Sequence, residues 1–217
     1  MGTKPQGQAA CRDKLDSSKS SEVDNHHKHP GWLAQFFIFA VNFVKHPNMV
    51  GWMLPSSPFV VDDVLKQVDW DKARVIVEYG PGVGTFTTKV LERMRPDATL
   101  IAFEINPDFL KYLNGAVRDP RLKLIGESAT EVDKVIERLG FNHVDYVISG
   151  IPFKTLPPPL RDTIVQKTHA VLRPDGQFLV YQLSSAALPH LEQVFTRVSR
   201  QSQWLSVIPA QMFYCAR

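Results

Sequence analysis

The chain has 217 residues, 44% of them hydrophobic, and a formal net charge of +3. That length suits one α/β domain with a sizeable core. The mild positive charge permits an anionic partner, a lipid surface or RNA, without demanding one. Cys11 and Cys215 lie near opposite ends without metal-ligand spacing and read as free thiols in a reducing compartment. The N-terminus lacks the pattern of a signal peptide, and no apolar run reaches the roughly 20 residues of a spanning helix.

Residues 1–30 are polar, rich in Ser, Lys, Asp and Gly, and read as a disordered tail. His26, His27 and His29 lie within it, but no Cys or acidic cluster supports ligation, so no metal is expected. Residues 31–54 form a separate unit. Trp32–Val44 is helical in pattern and almost wholly apolar, with Gln35 and Asn42 on one stripe, and Pro47 ends it. Two readings stay open. The segment lies in a membrane interface, with Trp32 and Trp52 at headgroup depth and Lys45 and His46 facing lipid phosphates. Alternatively, it is a lid packed over a ligand pocket. Residues 55–217 then form the main domain, beginning with a short helix over 59–67.

Val75-Ile-Val77 is a β-branched apolar run that predicts a strand buried on both faces, closed by Glu78. Gly80, Gly82 and Gly84 predict a tight turn, and the residues through Arg93 a helix. Thr99–Phe103 is a second strand ending at Glu104, twenty residues after Gly84. Helix 107–117, strand 122–125, helix 131–139 and strand 144–148 follow. Then come helix 158–172 with prolines in its first turn, a turn over 173–176 and strand 177–182. Helix 188–198 and a hairpin of strands 204–208 and 212–215 complete the chain. The alternation predicts a mostly parallel sheet with helices on both faces, and a ligand beyond the carboxyl ends of the strands.

The glycine spacing is not that of a dinucleotide turn, because the third glycine comes one residue early and Thr85 takes the expected place. Glu78 would repel a diphosphate but attract the ammonium of an amino-acid moiety. Glu104, at the adjacent strand tip, can accept both hydroxyls of a ribose. The Glu-x-Gly-x-Gly-x-Gly stretch resembles motif I of the class I S-adenosylmethionine (SAM) methyltransferases. The resemblance implies a Rossmann-like fold of seven mostly parallel strands, here with an added N-terminal apolar helix, and SAM as methyl donor. It places Glu78, Tyr79, Gly80, Gly82, Gly84, Thr85, Phe86, Glu104, Ile105, Glu127, Ser128 and Ser149 around that cofactor. Glu127 and Ser128 would meet the adenine edge and Ile105 its face.

The same resemblance puts the acceptor at Ser149-Gly-Ile-Pro-Phe153. Rather than the polar amide of the rRNA adenine dimethyltransferases, the loop looks closer to the bacterial phospholipid N-methyltransferases. Ser149, Ile151, Phe153 and Tyr181 are then the catalytic candidates. Phe153, Tyr181 or Phe86 would hold a methylated cation by cation–π attraction, and Tyr79, Tyr181 or His46 would take a proton. The expected activity is N-methylation of phosphatidylethanolamine or a related lipid amine. It implies a cytoplasmic enzyme peripherally bound to an anionic membrane surface. An RNA adenine methyltransferase, a small-molecule methyltransferase and a non-catalytic SAM-binding protein are the alternatives.

Overall fold

The computed structural model describes residues 58–203 and 210–217. The expectations placed on the tail 1–30, the segment 31–54 and His46 lie outside the described residues, as does the strand expected over 204–208.

The elements run in chain order as α1 (Pro58–Leu65), β1 (Val75–Tyr79), α2 (Thr85–Arg93), β2 (Thr99–Phe103), α3 (Pro107–Ala116), β3 (Leu122–Ile125), α4 (Val132–Arg138), β4 (Val144–Ser149), α5 (Pro158–Val171), β5 (Leu172–Gln182), α6 (Leu188–Glu192), β6 (Arg197–Gln203) and β7 (Ala210–Ala216). They build one seven-stranded sheet in the order β3-β2-β1-β4-β5-β7-β6. β1, β2, β3, β4 and β5 pair in parallel, and β7 runs antiparallel between β5 and β6. This is the mostly parallel, Rossmann-like sheet expected from the alternation, with the seven strands that the resemblance implied. The strand order reverses at β1, between β2 and β4, which is where such sheets open a crevice.

Each side of the sheet has its own core. Val75, Val77 and Tyr79 of β1 pack with Val132, Val135, Ile164, Val165 and Phe178 on one face. Ile76 faces the other side, with Val64, Leu65, Phe86, Val90 and Leu179. The strand period of two therefore sends Tyr79 to one face and Glu78 to the opposite one.

Hydrogen bonds stitch the strand tips together. Gly80 N–H donates to Phe103 O at 2.9 Å, Gly150 N–H to Tyr79 O at 2.9 Å, and Glu104 N–H to Ile125 O at 3.0 Å. The loops that follow β1, β2, β3 and β4 thus start from one fixed platform.

Three boundaries differ from the sequence expectation. Residues 173–176, expected as a turn between elements, are an irregular excursion within β5, where pairing passes from Val144↔Leu172 to Tyr146↔Gln177. The helix expected over 188–198 stops at Glu192, and Arg197–Gln203 is instead the edge strand β6. The closing hairpin accordingly pairs β6 with β7, Arg197 opposite Ala216. β6 carries a single apolar residue, Val198. An edge strand facing water has no apolar alternation to betray it.

Candidate active site

The glycine turn begins where β1, buried along its whole length, runs out. Gly80, Gly82 and Gly84 all have positive φ, at 70°, 56° and 81°. Gly84 caps α2 from the left-handed region, and a Cβ there would lie 2.7 Å from Leu113 Cδ2. Gly84 is therefore fixed by packing as well as by backbone. Gly82 is the opposite case: a Cβ there would meet nothing within 4 Å, so the turn presents bare backbone to open space. That is the side from which a ligand can come close.

Two carboxylates flank this turn. Glu78 is 2% exposed, and Thr87 Oγ1 of α2 donates to its Oε2 at 2.7 Å. Burial pushes its pKa up to about 8; the Thr87 hydrogen bond opposes the shift and the charge of Glu104 adds to it. Glu104 is 6% exposed. Its Oε2 accepts from Gly82 N–H at 3.0 Å and its Oε1 from Asn106 N–H at 2.8 Å. Burial raises its pKa too, against those backbone donors. The charge of Glu104 thus reaches Glu78 across the turn. Two desolvated carboxylates beside exposed glycine backbone suit a ligand with a cation and hydroxyl donors, and SAM brings an ammonium, a sulfonium and a ribose.

At the tip of β2, Ile105 is 58% exposed, an apolar side chain held in solvent beside Glu104. Ser128 caps the short turn Ala129–Glu131, its Oγ accepting from Thr130 N–H at 3.3 Å. Glu127, expected at an adenine amine, is engaged in a surface ion pair with Arg138 at 2.5 Å. Thr85 Oγ1, directly after the turn, is buried with no hydrogen-bond partner.

The loop after β4 is built differently from the expectation. Ser149 is fully buried, and its hydroxyl oxygen accepts from Ile151 N–H at 3.4 Å. Phe153 is also fully buried and belongs to the core packed with Phe178 and Ile164. Its ring offers no face to a cation, which corrects that part of its assigned role. Phe86 is 1% exposed and stacks on the half-buried Tyr181, with ring centroids 4.4 Å apart. One face of Tyr181 is therefore already covered. Tyr79 is corrected as well. Its ring is buried edge-on against Phe103 and Phe178, its hydroxyl shares a 3.1 Å hydrogen bond with Thr168 Oγ1, and burial raises its pKa. A phenol so placed is no proton acceptor for a substrate, and Tyr79 serves the turn through its backbone alone.

One residue at this loop escapes the sequence reading. Gln182, the last residue of β5 and 4% exposed, accepts from Phe153 N–H at 3.1 Å through Oε1 and donates through Nε2 to Ile151 O. The available signal was a polar residue closing the apolar run Phe178–Tyr181.

Comparison with known proteins agrees with this geometry. Residues 54–155 match the family described as ribosomal RNA adenine dimethylase. An ornithine lipid N-methyltransferase of Singulisphaera acidiphila is 29% identical over 147 residues, covering 67% of this chain and 77% of that protein. A ribosomal RNA small subunit methyltransferase A of Mycoplasma capricolum is 24% identical over 122 residues, 52% of this chain but 45% of that enzyme. Among solved structures, a precorrin-6y C5,15-methyltransferase of Geobacter metallireducens superposes with a TM-score of 0.61 at 16% identity, covering 77% of this chain and 92% of that one. Human methyltransferase-like protein 13, solved with S-adenosylhomocysteine, gives 0.56 at 17% identity over 72% and 79%. With the sheet order, the glycine turn and the paired acids, these matches make the chain a class I SAM-dependent methyltransferase.

Proposed function

We propose that the chain transfers methyl groups from SAM to the primary amine of a lipid headgroup, phosphatidylethanolamine or a related aminolipid such as ornithine lipid, at the cytoplasmic face of a membrane. In this reading Glu78 meets the SAM ammonium and Gly80, Gly82 and Gly84 let the cofactor lie against the turn. Glu104 accepts from the ribose, and Ile105 packs on the adenine beside Ser128. SAM supplies a methyl already activated by the sulfonium. The chain's part is to align the amine with it and keep water away. The amine must be neutral to attack, and its proton is lost to water before transfer.

The observation that carries the lipid reading over an RNA base is the acceptor loop. A base methylated outside a helix is gripped by stacking and by hydrogen bonds along its edge, and one stacking platform contributes about 1–3 kcal/mol. Here the single aromatic of residues 149–157, Phe153, is sunk in the core. Gly150 has no side chain, and Ser149 is fully buried, its hydroxyl oxygen accepting from Ile151 N–H. An aliphatic amine asks for less: a narrow pocket lined by backbone carbonyls. The similarity to the ornithine lipid enzyme points the same way. Leu183, 40% exposed just past the tip of β5, leaves an apolar side chain at the end of the sheet where a lipid would arrive.

The test is to incubate the full chain with SAM and vesicles containing phosphatidylethanolamine, vesicles containing ornithine lipid, or 16S-type rRNA, and to analyse products by mass spectrometry. Methylated lipid amine is expected. Methyl transfer confined to adenine in RNA rejects the proposal and restores the reading that the family match alone would suggest.

A further inference from the structure

Ile151-Pro-Phe153 is the part of the acceptor loop that projects past β4, and its two ends are held by one side chain. Gln182 reaches across from β5, with Oε1 on Phe153 N–H and Nε2 on Ile151 O. The strands place it there: Ser149 pairs with Val180, so Gln182 extends two residues beyond the pair, on the same face as Ser149. The rest of the bend is held locally, by Ile151 N–H on Ser149 Oγ and by Thr155 N–H and Oγ1–H on Pro152 O. Pro152 has no N–H to give, so loss of the Gln182 amide strips the backbone of this bend of its hydrogen bonds to β5 and leaves the buried Phe153 ring as its anchor there.

The chemistry of this clamp selects its residue. The backbone offers one donor and one acceptor, and a carboxamide answers both at once. Leucine answers neither. An ionised glutamate answers the N–H but sets a negative oxygen against the Ile151 carbonyl. A protonated glutamic acid answers both again.

We propose that Gln182 is the positioning residue of the methyl acceptor: it fixes the Ile151–Phe153 backbone, against which the amine is aligned for attack. This rests on the reading that the amine sits at this loop. Displacing a reacting group by about 1 Å can cost on the order of 100-fold in rate. The Gln182 amide is spent on the loop after β4, whereas the glycine turn and the two acids are held by Thr87, Asn106 and one another. SAM binding should therefore be spared.

The experiment compares wild type, Q182E and Q182L on three readouts. SAM affinity by calorimetry is expected to stay within about threefold in both variants. Turnover on phosphatidylethanolamine vesicles at pH 8 should fall 10- to 100-fold in both, with little change in KM for SAM. The ratio of Q182E to wild-type turnover should then climb as pH drops from 8 to 5.5, because the carboxyl regains its donor, while the Q182L ratio stays flat. Taking the ratio at each pH removes the protonation of the amine itself. Wild-type turnover in Q182L, or a flat Q182E ratio, overturns the proposal. Should wild type methylate no lipid vesicle, the lipid reading fails by itself. The clamp is then judged on Phe153 amide exchange by NMR, taken at each pH as the ratio to wild type, which must rise in Q182L at every pH and, in Q182E, rise at pH 8 and fall back toward one at pH 5.5; an unchanged ratio overturns it. Thermal unfolding of each variant identifies one that has failed to fold, and Q182E, nearly isosteric, carries the comparison if Q182L does.

Discussion

At the scale of single residues, the protonation of Glu78 is the most informative feature. Its carboxyl is buried, and its pKa is pushed up to about 8, so the free chain at pH 7 holds the proton. A cation docking against it favours the ionised form and drives that proton out. Calorimetry of SAM binding at pH 7, in buffers of different ionisation enthalpy, should show close to one proton released per SAM bound. Glu78→Gln should bind more weakly and release none. A wild-type titration without proton release would mean that the ammonium sits elsewhere. Tyr79 gives the contrasting case. Tyr79→Phe removes the hydrogen bond to Thr168 inside the core, which should cost about 1 kcal/mol of stability. Turnover should remain within about twofold with an unchanged pH profile; a tenfold fall would show the phenol to be part of the chemistry after all.

At the scale of elements, the three glycines of one turn answer to different forces. Gly84→Ala meets both a positive φ and the Leu113 side chain, and about 2–3 kcal/mol should be lost in thermal unfolding. Gly82→Ala meets only the backbone strain, about 1–2 kcal/mol, but its methyl projects into the open side of the turn. SAM affinity should therefore fall at least tenfold in Gly82→Ala, while Gly84→Ala shows the larger loss of stability. Equal effects on affinity and stability in the two variants would contradict this division. The turn was legible in the sequence because close approach leaves glycine as its mark, and β1 and β2 because central strands read as unbroken apolar runs. β6 was not, since an edge strand made of Arg, Ser and Gln has the composition of a loop. Sidedness was legible only in part. The alternation along β1 separates Glu78 from Tyr79, yet nothing local says that the ring of Phe153 turns into the core. The Gln182 clamp joins residues 29 apart, and such a bond exists only once β4 and β5 lie side by side.

At the scale of the whole molecule, the buried acids set how stability varies with pH. An unfolded chain ionises Glu78 near 4.5, whereas the folded chain keeps its proton to about 8. Between those values the native state binds more protons than the unfolded one, so stability falls as pH rises through that window and levels off above it. Each pH unit of that window corresponds to about 1.4 kcal/mol, and each kcal/mol to roughly 2–4 °C in Tm. The free protein should therefore melt several degrees lower at pH 8.5 than at pH 5. Glu78→Gln should flatten much of that slope, and saturating SAM should recover Tm most at the alkaline end. Identical slopes for wild type and Glu78→Gln, by scanning calorimetry, would show that Glu78 does not set the pH dependence.

The carbonyl of Tyr79 and the amide of Gly80 belong to one peptide group. Its oxygen takes Gly150 N–H and its nitrogen gives to Phe103 O, at 2.9 Å in each case. That rigid plate is riveted along both edges, to the loop that would receive the methyl on one side and to the strand leading to Glu104 on the other. It cannot swivel without both rivets failing together, so the roots of the two loops keep their register, while the stretch beyond Gly150 depends on contacts of its own. A substitution confined to Ile151–Phe153 therefore re-aims the far end of that loop and leaves its root, and the glycine turn beside it, where they are.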